Sequence, residues 1–289
     1  MSQKFNRKID VTIFKGADQV GLKISDLRIN FEITKDQLGY PQLAMIEIYN
    51  LKRDNQNKIK NVFDRVVVNA GYEDSVNQIF LGDIRNVEKI RQGVDMITRI
   101  WAASADKGLK QGILNYTAGA NTDVKSIINE AVNAFGDVVV GRIDELTGNK
   151  KIMGESYSGS AKQILDRLAK DYEFDWFIED GKLNVLKPET TINTPSTAIE
   201  ISSTTGMIDI PALTERGIMV KTLLDSNIKI GKLIKVVAQS TTVQLGNLFF
   251  RDINKTLGVG IYKVIKIIHA GDTHTKTWQS TVEGILYNG

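Results

Sequence analysis

Along the first hundred residues, apolar side chains recur at every second position. Ile9, Val11 and Ile13 alternate with Lys8, Asp10 and Thr12, and Leu27, Ile29, Phe31 and Ile33 alternate with Arg28, Asn30, Glu32 and Thr34. Successive side chains of an extended chain point to opposite faces, so a period of two predicts half-buried strands. Gly39-Tyr40-Pro41 interrupts the pattern and residues 43–49 resume it. Strand-like runs return at 66–72, 78–84 and 96–102, while the polar stretch 52–61 fits a short helix or a loop. Short strands with regular turn signals indicate a sandwich or a small closed barrel.

The period then changes. Val124, Ile127, Ile128, Ala131, Val132 and Phe135 fall at helical spacing, with Gly136 where a helix-ending glycine belongs. A second stripe runs through Ala161, Ile164, Leu165, Leu168, Ala169 and Tyr172, and Ser160 with Gln163 has the spacing of a capping box. Residues 174–179 and 182–187 flank Asp180-Gly181, a pair suited to the positive φ angles of a type I′ hairpin turn. Both stripes read as core, giving a helix packed on a hairpin. Pro188 to Pro195, rich in threonine, is the best linker candidate. Strands return at 218–224, 233–238 and 261–268, and residues 261–269 and 276–286 predict a long hairpin closed by Ala270-Gly271-Asp272-Thr273. The expected fold is mainly β with an α+β middle. Two β-barrel or sandwich domains, residues 1–105 and 196–289, flank a helix-plus-hairpin domain at 106–195.

Charge narrows the function. The 37 Lys and Arg stand against 34 Asp and Glu, a net +3 over 289 residues, too little for a nucleic-acid-binding face. The nearest basic cluster, Lys52-Arg53 with Lys58 and Lys60, is interrupted by acids and amides and reads as solvated surface. With no cysteine there are no disulfides, which permits folding in a reducing cytoplasm. The basic N-terminus, Met1 to Lys8, is followed by no apolar segment of a signal peptide, and no run approaches 18 apolar residues. A soluble chain without a membrane-spanning helix is expected.

Candidate chemistry is sparse. The two histidines, His269 and His274, lack metal-ligand spacing and are predicted to decorate the hairpin turn in or near solvent. Asp272, His274 and Ser280 supply the residue types of a hydrolase triad, but without a nucleophile elbow, and Asp and His two apart on a turn do not form a buried orienting bond. Ser158-Gly159-Ser160 is explained by the helix cap. Glu173, Asp175, Glu179 and Asp180 offer paired carboxylates of the kind that cleave sugars. In the strand reading Glu173, Asp175 and Glu179 lie in or beside a hairpin strand and suit a solvated face. No phosphate-binding glycine loop is present, and Gly258-Val259-Gly260 enters a strand, reading as a turn. Trp101, Trp176 and Trp278 sit in β runs, as core or interface. No catalytic, metal or cofactor residue is assigned, and an enzyme is not expected.

The C-terminal third is more specific. Gly217 to Gly231 ends a strand in Leu223-Leu224 and continues through Asn227-Ile228-Lys229-Ile230-Gly231; Gly260 to Thr273 contains His269-Ala270-Gly271-Asp272, and Trp278 follows. This combination resembles the C-terminal region of baseplate hub and related tail proteins of bacteriophages. The run Ala44 to Leu51 is similar to the first barrel of such hubs. The likeness covers most of the chain loosely and residues 217–284 more sharply, and it extends to phage-derived contractile injection particles. It implies two tube-like β domains with an α+β region between them. It also implies a homotrimer whose six β domains form a ring, adapting a six-fold tail tube to a three-fold central spike in the virion baseplate after assembly in the bacterial host cytoplasm. Tube or tube-initiator proteins, the spike and other baseplate proteins would be its partners. No sequence-specific nucleic acid and no membrane insertion by this chain are implied. No lysozyme-like or needle-like segment is recognisable, so wall cleavage or puncture would fall to partners. A tail-associated peptidoglycan-binding or -hydrolysing protein using Asp and Glu is the alternative.

Overall fold

In the computed structural model, residues 6–16, 21–37, 41–73, 75–146, 153–214, 217–238, 242–243 and 259–287 are described. The early alternation becomes β1 (Arg7–Phe14), β2 (Gly21–Ile24), β3 (Ile29–Asp36), β4 (Leu43–Tyr49), helix α1 (Arg53–Asn61), β5 (Arg65–Tyr72), β6 (Asn77–Gln92) and β7 (Asp95–Ala103). Ile29, Phe31 and Ile33 face a core that includes Ile46, Ile48 and Ile100. The ambiguous stretch at 52–61 is the helix α1, which buries Ile59 and Gln56; the Gln56 amide donates to the Leu51 carbonyl at 2.8 Å. Gly39 and Tyr40 of the expected break lie outside the described residues.

The middle comprises α2 (Asp106–Gln111), β8 (Ile113–Ala118), α3 (Val124–Ala134), β9 (Val139–Ile143), β10 (Glu155–Ser160), α4 (Ala161–Asp171), β11 (Asp175–Glu179) and β12 (Lys182–Leu186). Helix α3 follows its predicted stripe. The Asp123 carboxylate caps it by accepting from the Lys125 N–H at 2.9 Å, and Gly136 takes φ 75° beyond its end. Asp180 and Gly181, at φ 53° and 78°, turn β11 into β12 as expected. The capping box does not form: Ser160 makes no side-chain cap, because it ends β10, and the first helical N–H, on Ala161, donates instead to the Gly112 carbonyl at 2.9 Å.

The last third holds β13 (Ile199–Ser202), β14 (Ala212–Thr214), β15 (Gly217–Leu223), β16 (Leu233–Val237), β17 (Thr242–Val243), β18 (Val259–Asp272) and β19 (Trp278–Leu286). Strand pairing makes the two flanking regions one 14-stranded, largely antiparallel sheet. Its order is β17-β14-β15-β19-β18-β3-β4-β7-β6-β5-β1-β2, with β16 and β13 attached beside β18. Among the described residues this path ends at β17 and β2 and does not close on itself. Val259 and Gly260, expected in a turn, are already strand, while Gly258 lies outside the described residues. The segment from Pro188 to Pro195 is a strap pinned on both sides: the Ile192 N–H donates to the Gly231 carbonyl at 2.9 Å, and Arg142 donates to the Thr191 carbonyl at 2.9 Å.

The β18–β19 hairpin departs from expectation at its tip. Gly271 is still paired with Trp278, so Ala270, Gly271 and Asp272 are strand and the turn lies beyond them. This shift carries His269 into the interior, where it is fully buried and shares a 2.8 Å hydrogen bond between Nδ1 and the Ser280 hydroxyl; His274 alone stays exposed. Burial, reinforced by the Lys35 ammonium, pushes the His269 pKa down to about 3. Trp278 is 1% exposed and meets Phe31 edge-on, ring centroids 5.5 Å apart at 85°.

Two measurements check this packing. Trp278→Ala is expected to cost about 3–5 kcal/mol in urea denaturation of the isolated chain; an unchanged midpoint would place the ring outside the core. For His269 the unfolded imidazole gains its proton near pH 6.5 and the folded one only near 3. The unfolded state therefore binds more protons in that window, and stability falls as pH drops through it, by up to about 1.4 kcal/mol per pH unit. Relative to His269→Gln, the wild type should lose stability between pH 6.5 and 4; parallel pH profiles would contradict a buried neutral histidine.

Candidate functional site

The sheet is continuous because β18 has partners on both edges. β19 lies along one edge over almost its whole length. On the other, β16 pairs with residues 259–263 and β3 with residues 266–272, and the changeover falls where the β18 register shifts between Val264 and Lys266. β3 and β18 match residue for residue from Lys266 opposite Asp36 to Asp272 opposite Asn30.

The residues singled out at the C-terminus build this seam. Gly271 sits against Phe31 and Trp278; a Cβ there would lie 2.6 Å from the Phe31 ring and 2.7 Å from the indole. Asp272 accepts two bonds from Arg28, from Nη2 at 2.7 Å and Nε at 3.3 Å. Burial alone would raise the Asp272 carboxyl, but the Arg28 bonds and the His274 backbone N–H outweigh it and hold the pKa below the ordinary value. Thr273 and Ile29 close the end of the seam, the Thr273 N–H donating to the Ile29 carbonyl at 3.0 Å. In the other run, Ile228 and Ile230 enter the last core. Gly231 adopts φ 78°, and a Cβ would come 2.6 Å from Leu186 of the hairpin.

Under the seam lies a buried charge cluster. Lys35 of β3, 1% exposed, donates to Glu179 at 2.9 Å and lies 3.8 Å from Asp180, which also receives Lys229 at 2.6 Å. Burial pushes the Lys35 ammonium down, but Glu179 and Asp180 outweigh it and raise its pKa above the ordinary lysine value. Burial likewise raises Asp180, but Lys35 and Lys229 hold it below the usual carboxylate range. Glu179 is 5% exposed, against the expectation of a solvated face. Its strand is buried on both sides: Trp176 and Ile178 belong to the core under α3 and α4, and Phe177 to the core under β15 and β19.

The candidate catalytic groups are dispersed by the same packing. Ser280 bonds His269 rather than His274, and Asp272 serves Arg28. The Asp175 carboxylate accepts from Gln37 at 2.8 Å, and Glu173 is exposed beyond α4. Trp176 and Trp278 are core, whereas Trp101 is 39% exposed on β7. Among the described residues, no group of three or more His, Cys, Asp or Glu is placed to hold a metal ion, and no helix is long and apolar enough to cross a membrane. Sequence reasoning missed Lys35, Gln37 and Arg28; their only signal was a charged or amide side chain on an alternating strand.

Similarities to known proteins agree with this architecture. The chain is similar in structure to the 43 kDa tail protein of prophage MuSo2 from Shewanella oneidensis, with TM-score 0.65 and 8% identity over 98% of each chain. It is similar to a tail protein from Neisseria meningitidis MC58, with TM-score 0.63 and 9% identity over 97% of each. A third likeness is to the E. coli c3393 protein, a type VI secretion component with structural similarity to the T4 tail proteins gp27 and gp5. There the TM-score is 0.58 and the identity 12%, over 96% of this chain and 77% of the other. No curated protein matches at the sequence level. The family described as baseplate hub gp41 matches residues 9–241, a span that stops before the β18–β19 hairpin. With most of its length matched in sequence and its β-rich fold shared with tail proteins, the chain belongs to the baseplate hub gp41 family.

Proposed function

We propose that this chain is a structural hub subunit that forms a ring in a phage tail baseplate and adapts the six-fold tail tube to the three-fold central spike. The β3–β18 seam carries the reading, because it gives one subunit two β bodies in a continuous sheet. Three subunits then present six bodies around one axis. The bodies are two tube-like β domains, residues 1–105 and 196–289, on either side of an α+β domain at 106–195; the three hydrophobic clusters centre on these regions, although the first also takes in Leu224 and Trp278 and the last Phe177 and Leu186. Among the described residues, β2 pairs only with β1 and β17 only with β14, so a neighbour's strand could complete either ladder.

On this reading the chain acts as a homotrimer in the virion, assembled in the host cytoplasm, with tube, tube-initiator, spike and other baseplate proteins as partners. It catalyses nothing, inserts in no membrane and reads no nucleic-acid sequence. The competing reading, peptidoglycan binding or cleavage, is disfavoured by the commitment of Glu179 and Asp180 to Lys35 and Lys229.

Light scattering of the purified chain, alone and with its spike partner, should give three subunits per particle, and images should show a three-fold ring with six-fold pseudo-symmetry. A chain that stays monomeric with both spike and tube present, or that clears cell-wall suspensions, would refute the proposal.

A further inference from the structure

The strap after β12 is held from two regions of the chain. On the side of the α+β middle, the Asp144 carboxylate accepts from the Lys187 N–H at 3.2 Å and from the Thr190 hydroxyl, and Arg142 donates to the Thr191 and Ile192 carbonyls at 2.9 and 3.3 Å. On the side of the last β region, Lys263 of β18 donates to the Pro188 carbonyl at 2.8 Å and the Lys187 carbonyl at 3.4 Å, and the Ile192 N–H donates to the Gly231 carbonyl at 2.9 Å. The Thr190 N–H returns to the Lys187 carbonyl at 3.0 Å, closing residues 187–190 into a tight turn with Pro188 in its second position.

This turn is bonded but not closely packed. Pro188 and Glu189 are exposed. Pro188 also lines two cavities that share no other residue, so it is the wall they have in common. The first, about 290 Å³, lies against Asp171, Tyr172 and Glu173 at the end of α4. The second, about 240 Å³, lies where the three regions meet, reached by Asp36 from β3, Asp175 from β11, Lys263 and Ile265 from β18 and Ile285 from β19. With space on both sides, polar bonds rather than interdigitated side chains fix the turn in place. The bond from β18 is an unusual one. Lys263 is 2% exposed, and among the described residues it forms no ion pair; its donors go to carbonyls. Burial pushes its pKa below the ordinary lysine value, and Asp175, Asp144 and Glu189 offset only part of that. An ammonium so placed fixes geometry at a cost in stability that an apolar side chain would not incur.

We infer that Lys263 is the catch of a local gate. When it lets go of the Lys187 and Pro188 carbonyls, the 187–190 turn swings away from β18 while Asp144 keeps it on the α+β middle. Thr191 and Ile192, held by Arg142 and Gly231, serve as the hinge. The two cavities then join into one cleft between the three regions. Little else is lost on opening, because the bond from Thr190 to Lys187 travels with the turn and the exposed Pro188 is ready to be hydrated.

Native-state proteolysis of the full chain tests this, using a protease that cuts after glutamate and mass mapping of the cut between Glu189 and Thr190. Lys263→Met removes the catch and keeps an apolar stem of similar length. That variant should be cut at Glu189 about tenfold faster than the wild type, because cleavage tracks the population of the open form. Its melting temperature should equal or exceed that of the wild type. Lys266→Met, which alters a lysine of the same cavity that lies 3.5 Å from Glu283, should be cut at the wild-type rate. In the wild type, cleavage at Glu189 should rise only slightly with urea below the unfolding transition, as a local opening requires. An unchanged rate in Lys263→Met, an equal acceleration in Lys266→Met, a lower melting temperature with cuts throughout the chain, or a urea dependence matching global unfolding would each overturn the inference. None of these measurements requires ring, tube or spike, so the gate stands or falls separately from the hub reading.

Discussion

An open strand edge must find a partner, and in this chain the outer edge of β3 finds one in β18. Each unpaired backbone N–H and C=O on that edge would otherwise need water or another chain. The match between residues 30–36 and 266–272 fixes everything beneath it. It buries Lys35, and a buried ammonium without a counter-charge is costly. Glu179 and Asp180 supply that charge from the tip of the β11–β12 hairpin. Against an apolar replacement such a pair adds little stability, but losing either partner would leave a buried charge uncompensated. A one-residue slip of the hairpin would turn Glu179 to the opposite face and leave Lys35 alone.

Local patterns in the sequence were informative wherever one face of an element meets water. The alternation of residues 27–34, the stripe of α3 and the Asp180-Gly181 turn all reappear in the structure because each depends on near neighbours. Reading failed where burial came from afar. The β11 strand reads as half-polar, but it is enclosed on both faces by separate cores, so Glu179 passes for surface. The seam itself has no local signature, since Arg28 and Asp272 are 244 residues apart. The hairpin tip was misplaced for a related reason: with Gly271 paired between Phe31 and Trp278, the strand continues past the expected turn. The long β6 arm, with polar residues such as Asn86, Glu88 and Lys89, was truncated because no apolar alternation marks its second half.

The tail proteins that share this fold do so at 8–12% identity. Cores accept many apolar combinations if volume and pattern are kept, so a common fold carries few individual contacts across such a distance. Nothing in that likeness carries the Gly271 packing, the Arg28–Asp272 bond or the Lys35 cluster over to those proteins.

The late arrival of β18 has a consequence for how the protein is made. At roughly 5–20 residues per second, the ribosome needs about 10–50 s to travel from Arg28 to Asp272. Throughout that interval β3 has been synthesised and its eventual partner has not. The nascent chain carries an uncovered strand edge through most of its own translation, open to other chains until β18 exists to cover it.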